Sequence, residues 1–204
     1  MCRVLLIVAL LCAAAGNGLA GAQPASAGNP AVPIDPIAGI LEMFKTHDVV
    51  ALSEGNHGNE QGHAFRLALI REPRFAAAVN DIVVEFGNAQ YQPVIDRFVQ
   101  GEQVAYEELR KVWQDTTQRG TVWDRPIYEE FYRAVRDVNA TLAVERRLRV
   151  LLGDTPMDWY ALPRSAPPRT DDFPASLIQR EVISKKRRAL VIYGGSRAAL
   201  IYHS

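Results

Sequence analysis

Four short runs of mainly apolar residues recur along the chain, and the segments between them have helical spacing. The runs cover residues 49–53, 81–86, 148–154 and 189–193. Uninterrupted apolar runs of this length predict strands that are buried on both faces of a parallel sheet. The spacing of apolar residues between the runs predicts helices at 37–45, 59–71, 94–99, 106–113, 127–138 and 173–186. This alternation predicts an α/β fold: a single domain with a mainly parallel sheet of about four strands and helices on both faces.

Turn-forming residues mark several boundaries between these elements. Asp124 is predicted as the N-cap of the helix that follows it, with Pro126 in the first turn. Residues 118–121 and the proline-rich stretch 156–168 are predicted to be loops. An exposed last strand could pair with another chain, and the sequence does not give the oligomeric state.

The first 22 residues have the features of a secretory signal peptide. Arg3 supplies a positive charge, residues 4–15 form a continuous apolar stretch, and Ala20 and Ala22 are small residues before a cleavage site. We therefore expect an exported protein, either periplasmic or secreted. The apolar stretch is too short for a good membrane span, so no membrane contact is expected after cleavage. The alternative is an uncleaved anchor or an apolar N-terminal helix.

The rest of the chain divides into a leader and one domain. Residues 23–36, rich in Pro, Ala and Gly, predict a flexible leader, and residues 37–204 form the α/β domain. Both cysteines, Cys2 and Cys12, precede the leader, so the mature chain has neither a disulfide nor a thiol nucleophile. Basic and acidic residues balance at 23 each, which argues against nucleic acid as a partner and leaves a small-molecule substrate.

A polar side chain or a pair of glycines stands at the carboxyl end of each predicted strand. The first strand runs into the segment Ser-Glu-Gly-Asn-His-Gly-Asn-Glu at residues 53–60. Parallel strands connected by right-handed crossovers bring their carboxyl ends to one edge of a sheet, where sites are built. The side chains expected to converge there, together with Gly194 and Gly195, are those of Glu54, His57, Glu85, Asn88 and Asp154.

General base catalysis is the first chemistry that this corner could carry. His57 has an intrinsic pKa near neutrality, and Glu54 or Glu85 beside it would orient the ring. A water activated by the pair could attack an ester. The helix that begins near Asn59 could stabilise an anionic intermediate. The structural alternative is that His57 and Glu54 only pin the turn.

A metal site is the second possibility. Glu54, His57, Glu60 and His63 follow one another at spacings of three, and Glu85 could join them from the next strand. Mixed histidine and carboxylate ligands suit zinc, manganese or iron. The spacing matches no established zinc signature, and the preferred interpretation of His63 is a half-buried helix residue. A serine nucleophile and a nucleotide cofactor are disfavoured, because the G-x-S-x-G and G-x-G-x-x-G motifs are both absent.

The corner at residues 53–60 resembles the G-E-x-x-H-G segment of the erythromycin esterase-like proteins, which are grouped with the haem-uptake ChaN-like and Tiki-type proteins. Residues 83–85, Val-Val-Glu, resemble the end of the second strand in that group. Gly153-Asp154 is compatible with the end of a later strand, and residues 191–195 resemble the beginning of the last core segment.

The esterase branch implies a hydrolase that acts on a small-molecule ester or amide, with His57 as the water-activating base and Glu54 and Glu85 as its acidic partners. The ChaN-like branch implies a non-enzymatic protein that binds haem or a metal at the same corner. The Tiki-type branch implies metal-dependent peptide hydrolysis. These residues do not decide between the branches.

Two departures from the group's pattern bear on activity. Ser53 stands where the group usually has glycine. The histidine expected soon after Gly194-Gly195 is missing, and His203 lies too far along the chain to replace it. A C-terminally truncated, inactive homologue is therefore a third expectation.

Overall fold

A parallel sheet of four strands forms the centre of the fold. The computed structural model describes residues 32–118, 122–161 and 172–194. Within these ranges the sheet has the order β1-β4-β2-β3 and every neighbouring pair is parallel. The strands are β1 (Val49–Ser53), β2 (Asp81–Asn88), β3 (Arg149–Asp154) and β4 (Ala189–Tyr193). The predicted α/β class is thus confirmed.

Seven α-helices in the described part of the chain connect and cover the strands. They are α1 (Pro36–Met43), α2 (Glu60–Arg71), α3 (Phe75–Ala78), α4 (Gln92–Val99), α5 (Tyr106–Gln114), α6 (Pro126–Ala140) and α7 (Asp172–Ile178). Helix α7 continues into a π-helical turn at Gln179–Ile183, and two short 3₁₀ turns lie at Ala89–Tyr91 and Val144–Arg146. None of the helices in this part is both long and apolar enough to cross a membrane.

The two faces of the sheet are buried by different helices. All residues of β2 and β4 are buried, as the uninterrupted apolar runs predict. Alternate residues point to opposite faces: Ile82 and Val84 belong to the large cluster with α2 to α6, whereas Val83 packs with Leu177 and Ile178 of α7. Helices on both faces, and a single compact domain, follow from this arrangement.

Two boundary predictions need correction. Strand β4 is not an exposed last strand, because it pairs with β1 on one side and with β2 on the other. Asp124 is not the N-cap of α6; that position is Arg125, which makes no capping bond. Asp124 instead accepts hydrogen bonds from Arg110 Nη2 at 2.7 Å and Nε at 3.2 Å. Its carboxylate therefore pairs with a neighbouring arginine and does not cap the helix.

Several predictions fall wholly or partly outside the described residues. They are the signal peptide at 1–22, most of the leader at 23–36, most of the loops at 118–121 and 156–168, and the positions of Gly195 and His203.

Candidate functional site

The segment after β1 forms a tight corner at the carboxyl edge of the sheet. Gly55 and Gly58 have φ angles of +73° and +78°, which residues with side chains rarely adopt. The backbone N–H of Glu54 donates to the carbonyl of Tyr193 at 2.8 Å and extends the β1–β4 ladder by one bond. Asn59 then caps α2 by accepting from the N–H of Gly62 at 2.6 Å. The turn is therefore fixed at both of its ends.

The carboxylate of Glu54 is the centre of a hydrogen-bond network. It is only 3% exposed. Its Oε2 lies 3.1 Å from Nδ1 of His57, and its Oε1 accepts from the hydroxyl of Tyr128 at 2.8 Å. That hydroxyl in turn accepts from the N–H of Gly58 at 2.9 Å. These bonds connect the turn that carries Glu54 and His57 to helix α6. Gly58 and Tyr128, which form one of them, are 70 positions apart in the sequence.

Burial and charge act on Glu54 in opposite directions. Burial raises the pKa of Glu54 above its ordinary value, while the hydrogen bond from Tyr128 and the positive charge of Arg66 lower it. Arg66 is itself buried, with Nη2 4.0 Å from Oε1 of Glu54, and burial lowers the pKa of its guanidinium. The pKa of Tyr128 is raised by burial and by the nearby Glu54 charge, so its hydroxyl remains a donor.

His57 presents one ring nitrogen away from this network. Its side chain is 34% exposed, and its ring packs edge-on against Trp123 with ring centroids 4.2 Å apart. An ionised Glu54 can only accept, so in the neutral ring Nδ1 of His57 carries the proton and Nε2 has the lone pair. Among the described residues, none hydrogen-bonds to Nε2. This nitrogen can therefore bind a metal ion or take a proton.

Glu85 reaches the same edge through a bulge in β2. Val84 pairs with Leu152 and Asn88 pairs with Asp154, so β2 has three residues between these pairs where β3 has one. The side chain of Glu85 is buried, and its Oε2 accepts from the N–H of Gly194 at 2.7 Å.

His57 lies close to the same glycine. A Cβ atom at Gly194 would lie 3.3 Å from Oε2 of Glu85 and 4.0 Å from Cε1 of His57. Glu54, His57 and Glu85 therefore gather around the ends of β1 and β4, as the sequence predicts.

The four residues of the predicted metal set do not come together. Nε2 of His63 lies 3.0 Å from Oε2 of Glu130, so this histidine faces α6 rather than His57. Burial lowers the pKa of His63. Glu60 is exposed in the first turn of α2. Within the part of the chain that the structure describes, no group of three or more such side chains could hold a metal ion.

Asn88 and Asp154, also predicted at the site edge, bind neighbouring loop segments. The amide nitrogen of Asn88 donates to the carbonyls of Asp115 and Met157, at 2.7 Å each. Asp154 accepts from the backbone N–H and the hydroxyl of Thr117. Both residues therefore lie at the predicted edge, where they fix the connections that follow α5 and β3.

Three residues of the corner are missed by the sequence reasoning: Tyr128, Trp123 and Arg66. Tyr128 lies on the buried face of α6, where periodicity indicates burial but does not identify a partner. For Arg66, the sequence does contain a pattern that indicates a buried charge. It lies on a helix face that otherwise buries Leu67, Leu69 and Ile70, and a buried arginine needs a carboxylate nearby.

The contribution of Tyr128 can be tested by Tyr128→Phe. Because the hydrogen bond from Tyr128 lowers the pKa of Glu54, its removal is expected to raise that pKa further. Carboxyl NMR titration of Glu54 would measure the change. Tyr132→Phe is the matched control, since the Tyr132 hydroxyl donates to the carbonyl of Phe86 one turn further along α6. A Glu54 titration that is unchanged in Tyr128→Phe would contradict the network.

Fold and site together define an α/β protein with a histidine–glutamate pair at the carboxyl edge of a parallel sheet. A protein-family model described as "Haem-binding uptake, Tiki superfamily, ChaN" matches residues 40–156. This is more than half of the chain, which therefore belongs to the ChaN family of the Tiki superfamily. The match includes Glu54, His57, Glu85 and Tyr128. No curated protein and no solved structure matches the chain.

Proposed function

We propose that this chain binds haem at the corner around His57, with Nε2 of His57 as the iron ligand. The observation that carries the proposal is the 3.1 Å contact between Nδ1 of His57 and Glu54. A histidine that ligates a metal ordinarily donates its other ring N–H to a carboxylate, which fixes the tautomer and makes the ligating nitrogen more basic. Membership of the haem-binding uptake family supports the choice of haem.

The residues present fit such a ligand. An imidazole nitrogen suits iron, and histidine is a common protein ligand of haem iron. Trp123 packs against the His57 ring and restricts its orientation. The ring is one-third exposed, so a ligand can reach it from solvent. When haem is bound, its iron would accept the lone pair of the His57 nitrogen. Glu54, Tyr128 and the Gly58 N–H would keep that nitrogen in place.

Titration of the purified protein with ferric haem tests the proposal. We expect a shift of the Soret band in the wild type, and at least about a tenfold weaker affinity without that shift in His57→Ala. His47→Ala is the matched control, because His47 is an exposed histidine that bonds to the carbonyl of Met43 and is not part of the corner. If the wild type gives no Soret shift, or if His57→Ala retains it, haem binding at this corner is wrong.

A second candidate function uses the same atoms. The pairing of His57 with Glu54, and the contact of Glu85 with Gly194 close to His57, favour a hydrolase in which Nε2 of His57 takes a proton from water. The substrate would be a small-molecule ester or amide. Ester turnover that survives metal chelation and is lost in His57→Ala would favour this candidate over haem binding.

A further inference from the structure

Arg125 lies directly against the turn that carries His57. Its Nη1 atom is 2.6 Å from the position that a Cβ atom would occupy at Gly58, and its Cζ is 2.9 Å from the same point. The residue stands just before α6, two positions after the Trp123 that packs on the His57 ring. The guanidinium therefore lies beside the proposed ligand site, one residue from the proposed iron ligand.

The positive charge of Arg125 has no partner among the described residues. The side chain is exposed and takes part in no hydrogen bond or ion pair there. The two neighbouring carboxylates bind other groups. Asp124 holds Arg110 through two hydrogen bonds, and Glu129 accepts from Arg133 at 2.7 Å and from Tyr106.

A cavity of about 300 Å³ is lined in part by Arg125 and has room for a partner of this residue. The residues that line it besides Arg125 are Tyr106, Arg110, Trp113, Asp124, Pro126 and Glu129. A volume at the lower end of the range for ligand pockets suits a side group of a ligand rather than a whole macrocycle. Because the carboxylates in the wall already bind cations, an anion entering the cavity would meet the free charge of Arg125.

We propose that Arg125 binds a carboxylate of the ligand held at His57, so that the site selects anionic ligands. A guanidinium matches the planar geometry of a carboxylate and can donate two parallel hydrogen bonds to it. The inference rests on the proposed function for its ligand, since haem carries two propionate groups. Arg125 would give the site a second contact with the ligand and a preference for ligands that carry negative charge.

The test compares two probes, ferric protoporphyrin IX and its dimethyl ester, which lacks the carboxylates. The wild type is expected to bind the diacid about three- to tenfold more tightly than the diester, as an exposed charge-assisted pair allows. In Arg125→Gln this preference is expected to disappear through weaker binding of the diacid, with diester affinity unchanged. Arg125→Lys should retain part of the preference, because it keeps the charge but loses the forked geometry.

Arg71→Gln is the control for net charge. Arg71 is an exposed arginine at the far end of α2, and its replacement should leave the preference as in the wild type. The inference is overturned if the wild type shows no preference for the diacid, or if Arg125→Gln retains it. A failure of the proposed function looks different, because the Soret shift would then be absent from the wild type or would persist in His57→Ala.

Discussion

Replacement of Asp81 by alanine is expected to lower the free energy of unfolding by about 3 kcal/mol. Asp81 begins β2 and is fully buried. Its Oδ1 accepts from Nε of Arg149 and Nη2 of Arg187, each at 2.8 Å, and its Oδ2 accepts from Nε of Arg187 at 2.6 Å. Removal of the carboxylate leaves two cations without it, so the effect is large. Both arginines are 32% exposed, which places the cost at the lower end of the range for broken buried pairs.

Urea unfolding followed by circular dichroism would measure this cost. Asp124→Ala is the matched control, because Asp124 also holds an arginine through two hydrogen bonds. Its side chain is 28% exposed and that of Arg110 is 40% exposed. Exposed pairs of this kind contribute less than about 1 kcal/mol. Equal losses in the two variants would show that burial does not set the strength of the Asp81 contacts.

The predicted bounds of β1 and β4 agree with the structure because short, uniformly apolar runs suit strands that are buried on both faces of a sheet. Residues 49–53 and 189–193 are too short and too uniformly apolar to be amphipathic helices, and the structure places β1 and β4 at these bounds. Once the strands are parallel, their carboxyl ends meet at one edge. The gathering of Glu54, His57 and Glu85 therefore follows from strand direction.

The order of the strands could not be predicted, because it depends on long-range packing. Strand β4 lies between β1 and β2, and nothing in its apolar run specifies these neighbours. This order is what brings Gly194 close to both His57 and Glu85. The bulge after Val84 is equally invisible in the sequence, since Glu85 looks like the end of a strand that in fact continues to Asn88.

Contacts between residues far apart in the sequence account for the other features of the site that could not be predicted. Tyr128 bonds to Glu54 across 74 positions, and its place on a helix face predicts only that it is buried. The surface residue Asp124 shows the same limit, because its partner could not be predicted from the sequence either. Asp124 has the residue type of an N-cap, yet its carboxylate accepts two hydrogen bonds from Arg110, and the N-cap position is occupied by Arg125.

Replacement of Glu54 by glutamine is expected to weaken haem binding by about 10- to 100-fold. The glutamine oxygen can still accept from Tyr128, and its amide group then faces Nδ1 of His57. An amide NH₂ only donates, so Nδ1 must become the acceptor and the ring proton moves to Nε2. A protonated Nε2 has no lone pair for iron.

Glu130→Gln is the matched control in the same haem titration. It makes the same change at the other histidine–carboxylate contact, that of His63. Haem affinity should remain that of the wild type in this variant, because His63 faces away from the corner. Wild-type haem affinity in Glu54→Gln would contradict the role of the carboxylate.

The same Glu54 variant is expected to be more stable than the wild type at pH 7. Burial raises the pKa of Glu54 in the folded chain above its ordinary value of 4.5, so the folded state binds this proton more tightly than the unfolded state does. Wild-type stability therefore falls as the pH rises from 4.5 through the raised pKa, whereas glutamine has no such dependence. Urea midpoints should be higher in Glu54→Gln at pH 7, and this advantage should shrink as the pH falls through the raised pKa of Glu54 to 4.5. A constant difference across this range would mean that Glu54 does not carry the cost. A stability gain together with lost haem affinity would assign the buried charge to function rather than to folding.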